Sequence, residues 1–176
     1  MLFIVRQFFV LSIAANISLM SDVKISPVKT RQLRSLRRLF ASATRSSFGY
    51  LPQKQLKQTL RSNNLRRLTL SKLRPSRLVL VAANGQLVGY SIAAFDGDSA
   101  HLYWLYVDPD QRGRNIGLKL LGATLRWAEA GGANKLVLAT HDHRRYYERQ
   151  GFKWSEQKMV DGVLMDIMFA RLGAER

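Results

Sequence analysis

Tyr106-Val107-Asp108-Pro109-Asp110-Gln111-Arg112-Gly113-Arg114-Asn115-Ile116-Gly117 runs from the end of an apolar strand, through a glycine-containing loop, into the start of a helix. In that setting successive backbone N–H groups point into the loop, and the first turn of the helix has no acceptors of its own for them. The helix dipole adds positive potential at the same end. Gly113 and Gly117 remove side chains where a ligand has to come close. Arg112 and Arg114 add charge. The combination reads as an anion cradle suited to a pyrophosphate. A plainer reading of the same residues is a glycine-aided turn before a helix. The loop has neither the Gly-Lys-Ser/Thr of a Walker loop nor the Gly-x-Gly-x-x-Gly of a dinucleotide fingerprint.

The residues before this loop alternate between strand and turn signals. Leu78 to Ala83 is a short apolar run, and Asn84-Gly85 after it is a strong hairpin signal because both residues tolerate positive φ. Leu87 to Phe95 returns as a strand, Asp96-Gly97-Asp98 turns, and Ala100 to Val107 is the next strand. The loop then feeds a helix over Gly117 to Ala130, with Leu118, Leu121, Leu125 and Ala128 on one side and Gly131-Gly132 as its stop. Lys135 to Ala139 reads as a buried strand, and the unit from Ala100 to Ala139 should be a right-handed parallel crossover. His143 to Gln150 is a short helix ending at Gly151. Met159-Val160 and Val163 to Ala170 form a last hairpin around Asp161-Gly162.

At the other end, Val23 to Val28 reads as a short first strand. Thr30 to Ser42 is helical, with Leu33, Leu36, Phe40 and then Ala43 on one face and Arg31, Arg34, Arg38 and Arg45 on another. Pro52 suits the first turn of a second helix continued by Leu56 and Leu60. Leu65 to Arg74 is basic and leucine-rich and reads as either helix or loop before Pro75. Met1 to Met20 is apolar but interrupted by Arg6 and Gln7. Its uncharged run is shorter than the roughly 20 residues a spanning helix needs. It reads as a signal-like leader, a segment upstream of a functional start at Met20, or a weak membrane-surface segment.

The chain has 176 residues and no cysteine, which excludes a disulfide framework, a thiolate nucleophile and cysteine-ligated metal. It carries 28 basic and 12 acidic residues. Met1 to Leu80 holds 16 basic residues and one acid, Asp22, a net of +15, whereas Val81 to Arg176 is near neutral. Such a field attracts nucleic acid, ribosomes, anionic membranes or anionic substrates; it also fits a solvated basic surface.

Three further patterns bear on chemistry. Tyr146-Tyr147-Glu148-Arg149-Gln150-Gly151-Phe152 closes the short helix His143 to Gln150, and Tyr146 reads as a core aromatic. Thr140-His141-Asp142-His143 has the residue types of a metal site, but two His and one Asp so close together rarely share one ion, so no metal is expected. Gly89-Tyr90-Ser91-Ile92-Ala93 approaches a nucleophile elbow but lies inside a strand with no helix after it.

In this order the segments resemble the GNAT-type N-acetyltransferase superfamily from Val23 to Leu172. The family pattern Arg/Gln-x-x-Gly-x-Gly/Ala falls on Arg112 to Gly117, and Tyr-x-x-x-Gly-Phe falls on Tyr147 to Phe152. The resemblance implies an α/β fold of α+β type: a mixed, mostly antiparallel sheet of about seven strands, flanked by helices, with a splayed parallel pair. Residues 21–176 would form a single N-acetyltransferase domain, cytoplasmic, or membrane-associated through residues 1–20. Acetyl-coenzyme A would be the donor and an amine the acceptor. The pyrophosphate would sit on the N–H groups of Arg112, Gly113, Arg114, Asn115, Ile116 and Gly117. The pantetheine arm would pair with backbone near Leu105 and Val107, and Tyr147 would be the general acid. Two departures stand out. Asn115 replaces the middle glycine, and it is the residue other than glycine most at ease in a left-handed conformation. No Glu stands on the strand Ala100 to Val107, so the base is His101, a water chain, or none. The rival reading is a basic nucleic-acid- or ribosome-binding module on the same scaffold.

Overall fold

The computed structural model describes residues 23–48, 74–160 and 162–173, together with Gln53, Lys57 and Arg61. The leader Met1 to Met20 and most of the segment read as a second helix and as Leu65 to Arg74 lie outside the described residues. Seven strands form one sheet in the order β1-β2-β3-β4-β5-β7-β6. They are β1 (Lys24–Pro27), β2 (Arg77–Ala83), β3 (Leu87–Asp96), β4 (Ser99–Val107), β5 (Lys135–Thr140), β6 (Lys153–Val160) and β7 (Val163–Arg171). Every neighbouring pair is antiparallel except β4 and β5. This is the mixed, mostly antiparallel sheet expected, with its one parallel step across the β4–helix–β5 crossover.

Helices cover both faces. Helix α1 (Leu33–Phe48), entered through a 3-10 turn at Thr30–Gln32, lies on one face. Its Leu33, Leu36, Phe40 and Ala43 are buried against Val79, Val81, Tyr90, Ile92 and Tyr106. The spacing of those four residues makes the helix amphipathic, and Arg34, Arg37, Arg38 and Arg45 are left in solvent or at its margin. The helix runs past Ser42, the end expected from its sequence pattern, because Ala43 and Thr44 are also buried and Thr44 Oγ1 donates to Phe40 O at 2.8 Å. Helix α2 (Ile116–Ala130) covers the opposite face. Its Ile116 and Leu120 pack on Leu80, Ala82 and Val88, while Leu121 and Ala128 pack on Ala100, Leu102, Leu136 and Leu138. A short helix α3 (Arg144–Arg149) follows β5 and adds Tyr147 to the second of these clusters. Truncating a fully buried Leu36 or Phe40 would cost about 2–5 kcal/mol.

One expectation needs correction. The first strand of the last hairpin is longer than Met159-Val160, because β6 begins at Lys153, six residues before Met159, whereas the second strand runs Val163–Arg171 close to its expected bounds. Strand β6 is the outer strand of the sheet, exposed almost throughout. With water on both faces, Lys153-Trp154-Ser155-Glu156-Gln157-Lys158 needs no apolar alternation, so the sequence carries no strand period there. Among the described residues no helix is long and apolar enough to cross a membrane.

Candidate functional site

Strands β4 and β5 pair from Ser99↔Lys135 to Leu102↔Leu138 and no further, although β4 continues to Val107 and β5 to Thr140. The break has a local cause. Across β3, Ile92 faces Trp104 and Ala93 faces Leu102, so Tyr103 is an extra residue on β4. Such a bulge bends its strand and adds twist. Here it falls one residue after the last paired position, and it turns β4 away from β5. It also resets the alternation: Ala100 and Leu102 face α2, whereas Trp104 and Tyr106 pack on the α1 face. Tyr103 itself is exposed and stacks with His101 at 6.2 Å between ring centroids.

The opened edge of β4 carries usable backbone groups. Asp108 N–H donates to Val88 O at 2.9 Å, so Asp108 and, two residues earlier, Tyr106 direct their backbone polar groups toward β3. By alternation Leu105 and Val107 direct theirs into the splay. Both side chains are half-buried and pack with the α2-side clusters. Val107 O accepts from Arg112 Nε at 3.2 Å, which ties the loop arginine to the mouth of the splay.

The loop builds itself from local bonds. Asp108 Oδ1 accepts from Asp110 N–H at 3.3 Å, and Gln111 N–H and Arg112 N–H close a 3-10 turn at Pro109–Gln111. Gly113 then takes φ +77° and Asn115 φ +56°, the left-handed region that turns consecutive N–H groups toward one side. Asn115 is the only non-glycine residue with positive φ among the described residues. The departure from glycine is therefore absorbed by the residue type best able to do so. The helical ladder of α2 opens with Lys119 N–H donating to Asn115 O at 3.0 Å, leaving the N–H groups of Ile116, Gly117 and Leu118 at the helix mouth. A Cβ on Gly117 would stand 3.3 Å from the Tyr146 hydroxyl and 3.7 Å from Val107 Cγ2, so the helix start, the end of β4 and α3 converge at this point.

Tyr147 is buried among Leu102, Leu138, Phe152 and Met168 and meets Tyr146 and Phe152 edge-on. Burial, with Tyr146 as a lesser cause, pushes its phenol well above the usual value, so it stays protonated throughout the neutral range. Tyr146, half-buried on the same cluster, fits its reading as a packing aromatic, but its hydroxyl also reaches Gly117. Burial raises its phenol too, and Arg149 pulls it partly back. The structure thus brings Leu105, Val107 and Arg112 to Gly117 to one end of the splay on the α2 side; Tyr147 is buried in the cluster on which Leu105 packs, while the hydroxyl that reaches Gly117 is that of Tyr146. His101 lies elsewhere. It pairs with Val137 on the face opposite Leu102 and Leu138, at the closed end of the splay, with Asp96 Oδ2 4.0 Å from its Nε2.

Two features escape a reading of the sequence. The Tyr103 bulge has one trace: His101-Leu102-Tyr103-Trp104-Leu105-Tyr106 is too uniformly bulky to alternate cleanly. The Arg112 tie to Val107 O has none. In the Thr140-His141-Asp142-His143 run, His143 N–H donates to Thr140 Oγ1 and His143 Nδ1 lies 3.6 Å from Asp142. That is a turn before α3.

The donor set suits acetyl-coenzyme A: left-handed residues and an open helix start for a pyrophosphate, a side-chain-free Gly117, and a free strand edge for an amide-bearing arm. In solved structures the fold recurs in a PaiA N-acetyltransferase from Thermoplasma acidophilum in complex with coenzyme A, at 21% identity and TM-score 0.72 over 86% of this chain and 99% of that one. It recurs in YncA, a putative acetyltransferase from Salmonella typhimurium with acetyl-CoA, at 18% identity and TM-score 0.63 over 89% and 97%. It recurs again in the ribosomal-protein-S18-alanine N-acetyltransferase from Escherichia coli, at 19% and 0.64 over 88% and 96%. A search of the curated proteins finds no match. The family model described as Acetyltransferase (GNAT) family matches residues 33–152. With two thirds of its length inside that match and the splay and loop in place, the chain belongs to the GNAT acetyltransferase family.

Proposed function

We propose that residues 21–176 act as a single N-acetyltransferase domain that moves an acetyl group from acetyl-coenzyme A to an amine by direct attack in a ternary complex. The observation that carries this reading is the splay of β4 from β5 beside an open helix start. One surface there offers strand N–H groups to an arm and loop N–H groups to phosphates.

Acetyl-coenzyme A supplies an activated thioester; the chain supplies position and charge. The N–H groups from Gly113 to Gly117 hold the pyrophosphate, and Arg112, whose own N–H is spent on Pro109 O, adds to the potential through its guanidinium, as does Arg114. Leu105 and Val107 align the arm along β4. Val107 N–H donates to the carbonyl oxygen as negative charge develops on it. Tyr147, held as the neutral phenol, donates its proton toward the departing sulfur. Proton removal from the amine falls to His101, to water, or to bulk solvent before binding.

The acceptor is an amine. A free polyamine would be repelled by the basic half. A protein terminus or lysine in an RNA-rich or acidic assembly would be attracted, and so would a small anionic amine. The structural neighbour named for ribosomal protein S18 makes ribosomal fractions a sensible arm of a screen. The second reading is a basic nucleic-acid- or ribosome-binding module with little catalysis; the charge asymmetry of the chain favours it. The reaction is expected in the cytoplasm. The test is thiol release from acetyl-coenzyme A over amines, peptides and ribosomal fractions. Turnover with one class supports transfer. Donor binding without turnover in any class favours the second reading.

A further inference from the structure

A cavity of about 750 Å³ opens at the end of the sheet beside the anion loop, on the side away from β5. Lys24 at the start of β1, Lys29 and Arg31 ahead of α1, and Arg114 of the loop line it, with the Asn84-Gly85 turn closing one wall. All four cationic side chains are exposed, and none is in a salt bridge among the described residues. Among the described residues the lining holds no carboxylate. The only acid in the first 80 residues is Asp22, so that half could neutralise at most one of the four charges.

The cavity does not stand alone. Arg31 also heads a stripe along α1. Arg31, Arg34, Arg38 and Arg45 recur at helical spacing over about 20 Å, with no acid between them. The positive surface therefore runs from Arg114 across the cavity and along the helix. Apart from Arg114, which also flanks the proposed pyrophosphate site, no residue of the track belongs to the loop or the splay.

From this geometry we propose that the track binds the phosphate backbone of a single-stranded nucleic acid, with the cavity as its deepest subsite. Arginine dominates the track, and its planar fork matches phosphate oxygens in pairs. A membrane surface fits less well. The apolar residues of α1 are committed to the core, so its exposed side offers charge but nothing to insert between lipids. A cavity ringed by four cations at the head of a linear stripe also suits a chain with evenly repeated charges better than an irregular acidic protein surface. The proposal does not rest on acetyl transfer, since the track would bind in a chain with no turnover.

The test is fluorescence anisotropy of the full chain with labelled oligo-U and the matching single-stranded DNA, at several salt concentrations. Two variants divide the track: Lys24→Gln, Lys29→Gln and Arg31→Gln for the cavity, and Arg34→Gln, Arg38→Gln and Arg45→Gln for the helix. Each phosphate that is no longer neutralised should flatten the log–log salt slope by about 0.7, so each triple variant should flatten it by about 2. Acetyl-coenzyme A affinity, measured in parallel, should stay within about twofold and shows that the variants are folded. Binding of either oligonucleotide with both slopes flattened supports the proposal, and tighter binding of RNA adds a role for the 2′-hydroxyl. Slopes unchanged in both variants would overturn it. So would tighter binding to anionic vesicles or to poly-glutamate than to either oligonucleotide at equal salt.

Discussion

Two buried phenols, Tyr147, proposed above as the acid, and Tyr90, carry predictions at the scale of single residues. Tyr147→Phe removes a proton and leaves the ring that packs on Phe152 and Tyr146. Turnover should fall by about a hundredfold to ten-thousandfold, with the donor dissociation constant nearly unchanged; equal turnover of the two proteins would take Tyr147 out of the reaction. Tyr90 is the other phenol. It is fully buried between α1 and the sheet, tilted against Phe40 and Tyr106, and its hydroxyl has no hydrogen-bond partner among the described residues. Removing an unsatisfied buried hydroxyl should stabilise, so Tyr90→Phe is expected to gain about 1 kcal/mol in denaturant titrations at neutral pH. Burial first, and Tyr106 second, raise the Tyr90 phenol above its usual value in the folded chain. Below about pH 10 the folded and unfolded chains both hold the proton, and stability is indifferent to it. Above that point the unfolded chain ionises first and stability falls with rising pH. The loss between neutral pH and about pH 10.5 should be smaller in Tyr90→Phe than in the parent. A parallel pair of curves would mean that Tyr90 is not the group responsible.

Loop and bulge are the elements that make the site, and each has a distinct failure. Asn115 holds φ +56° at the head of α2. Asn115→Gly should keep donor affinity, while Asn115→Val forces a β-branched residue into the left-handed region at about 1–2 kcal/mol and should weaken it. Calorimetry on the pair separates backbone conformation from any contact made by the Asn side chain. The bulge predicts something less intuitive. With Tyr103 deleted, Leu102 and Trp104 still face opposite sides of the sheet and the core clusters survive, but β4 straightens and pairs further along β5. That deletion should leave thermal unfolding cooperative and abolish donor binding. Legibility in the sequence divides along the same line. The backbone of the loop before α2 can be read because glycine, Asn and a helix start act locally, and Asn84-Gly85, Asp96-Gly97-Asp98 and Gly131-Gly132 mark real boundaries for the same reason. The Tyr103 bulge cannot, because it is defined by which residues on β3 it slips past. Strand β6 reads too short because a strand wet on both faces has no period to find. The face bearing His101 is hidden because it is assembled from strands far apart in the chain.

At the scale of the whole molecule, attraction and repulsion between charges are out of balance. The chain carries a net +16, nearly all of it in the first 80 residues. Three ion pairs lie at the surface: two join an Asp to a His that must be protonated to count, and the third, Arg144–Glu148, is short at 2.8 Å. Exposed pairs of this kind contribute between nothing and about 1 kcal/mol, so salt has little attraction to remove. It has considerable repulsion to screen. Arg34, Arg37 and Arg38 sit within a turn or so of one another on α1, beside Lys29 and Arg31. Raising sodium chloride from about 0.01 M to 0.15 M shortens the screening length from about 30 Å to about 8 Å, which spans most distances along that helix. Folding brings these charges closer than the unfolded chain does, so screening should favour the folded state. The melting temperature is therefore expected to rise across that range by about 2–4 °C, the shift that 1 kcal/mol produces in a chain of this size. Replacing Arg34, Arg38 and Arg45 by Gln should raise the low-salt melting temperature and flatten its salt dependence, since the variant has less repulsion left to screen. A parent protein that melts lower as salt is added would show the opposite balance, with attractive pairs outweighing the crowded arginines of α1.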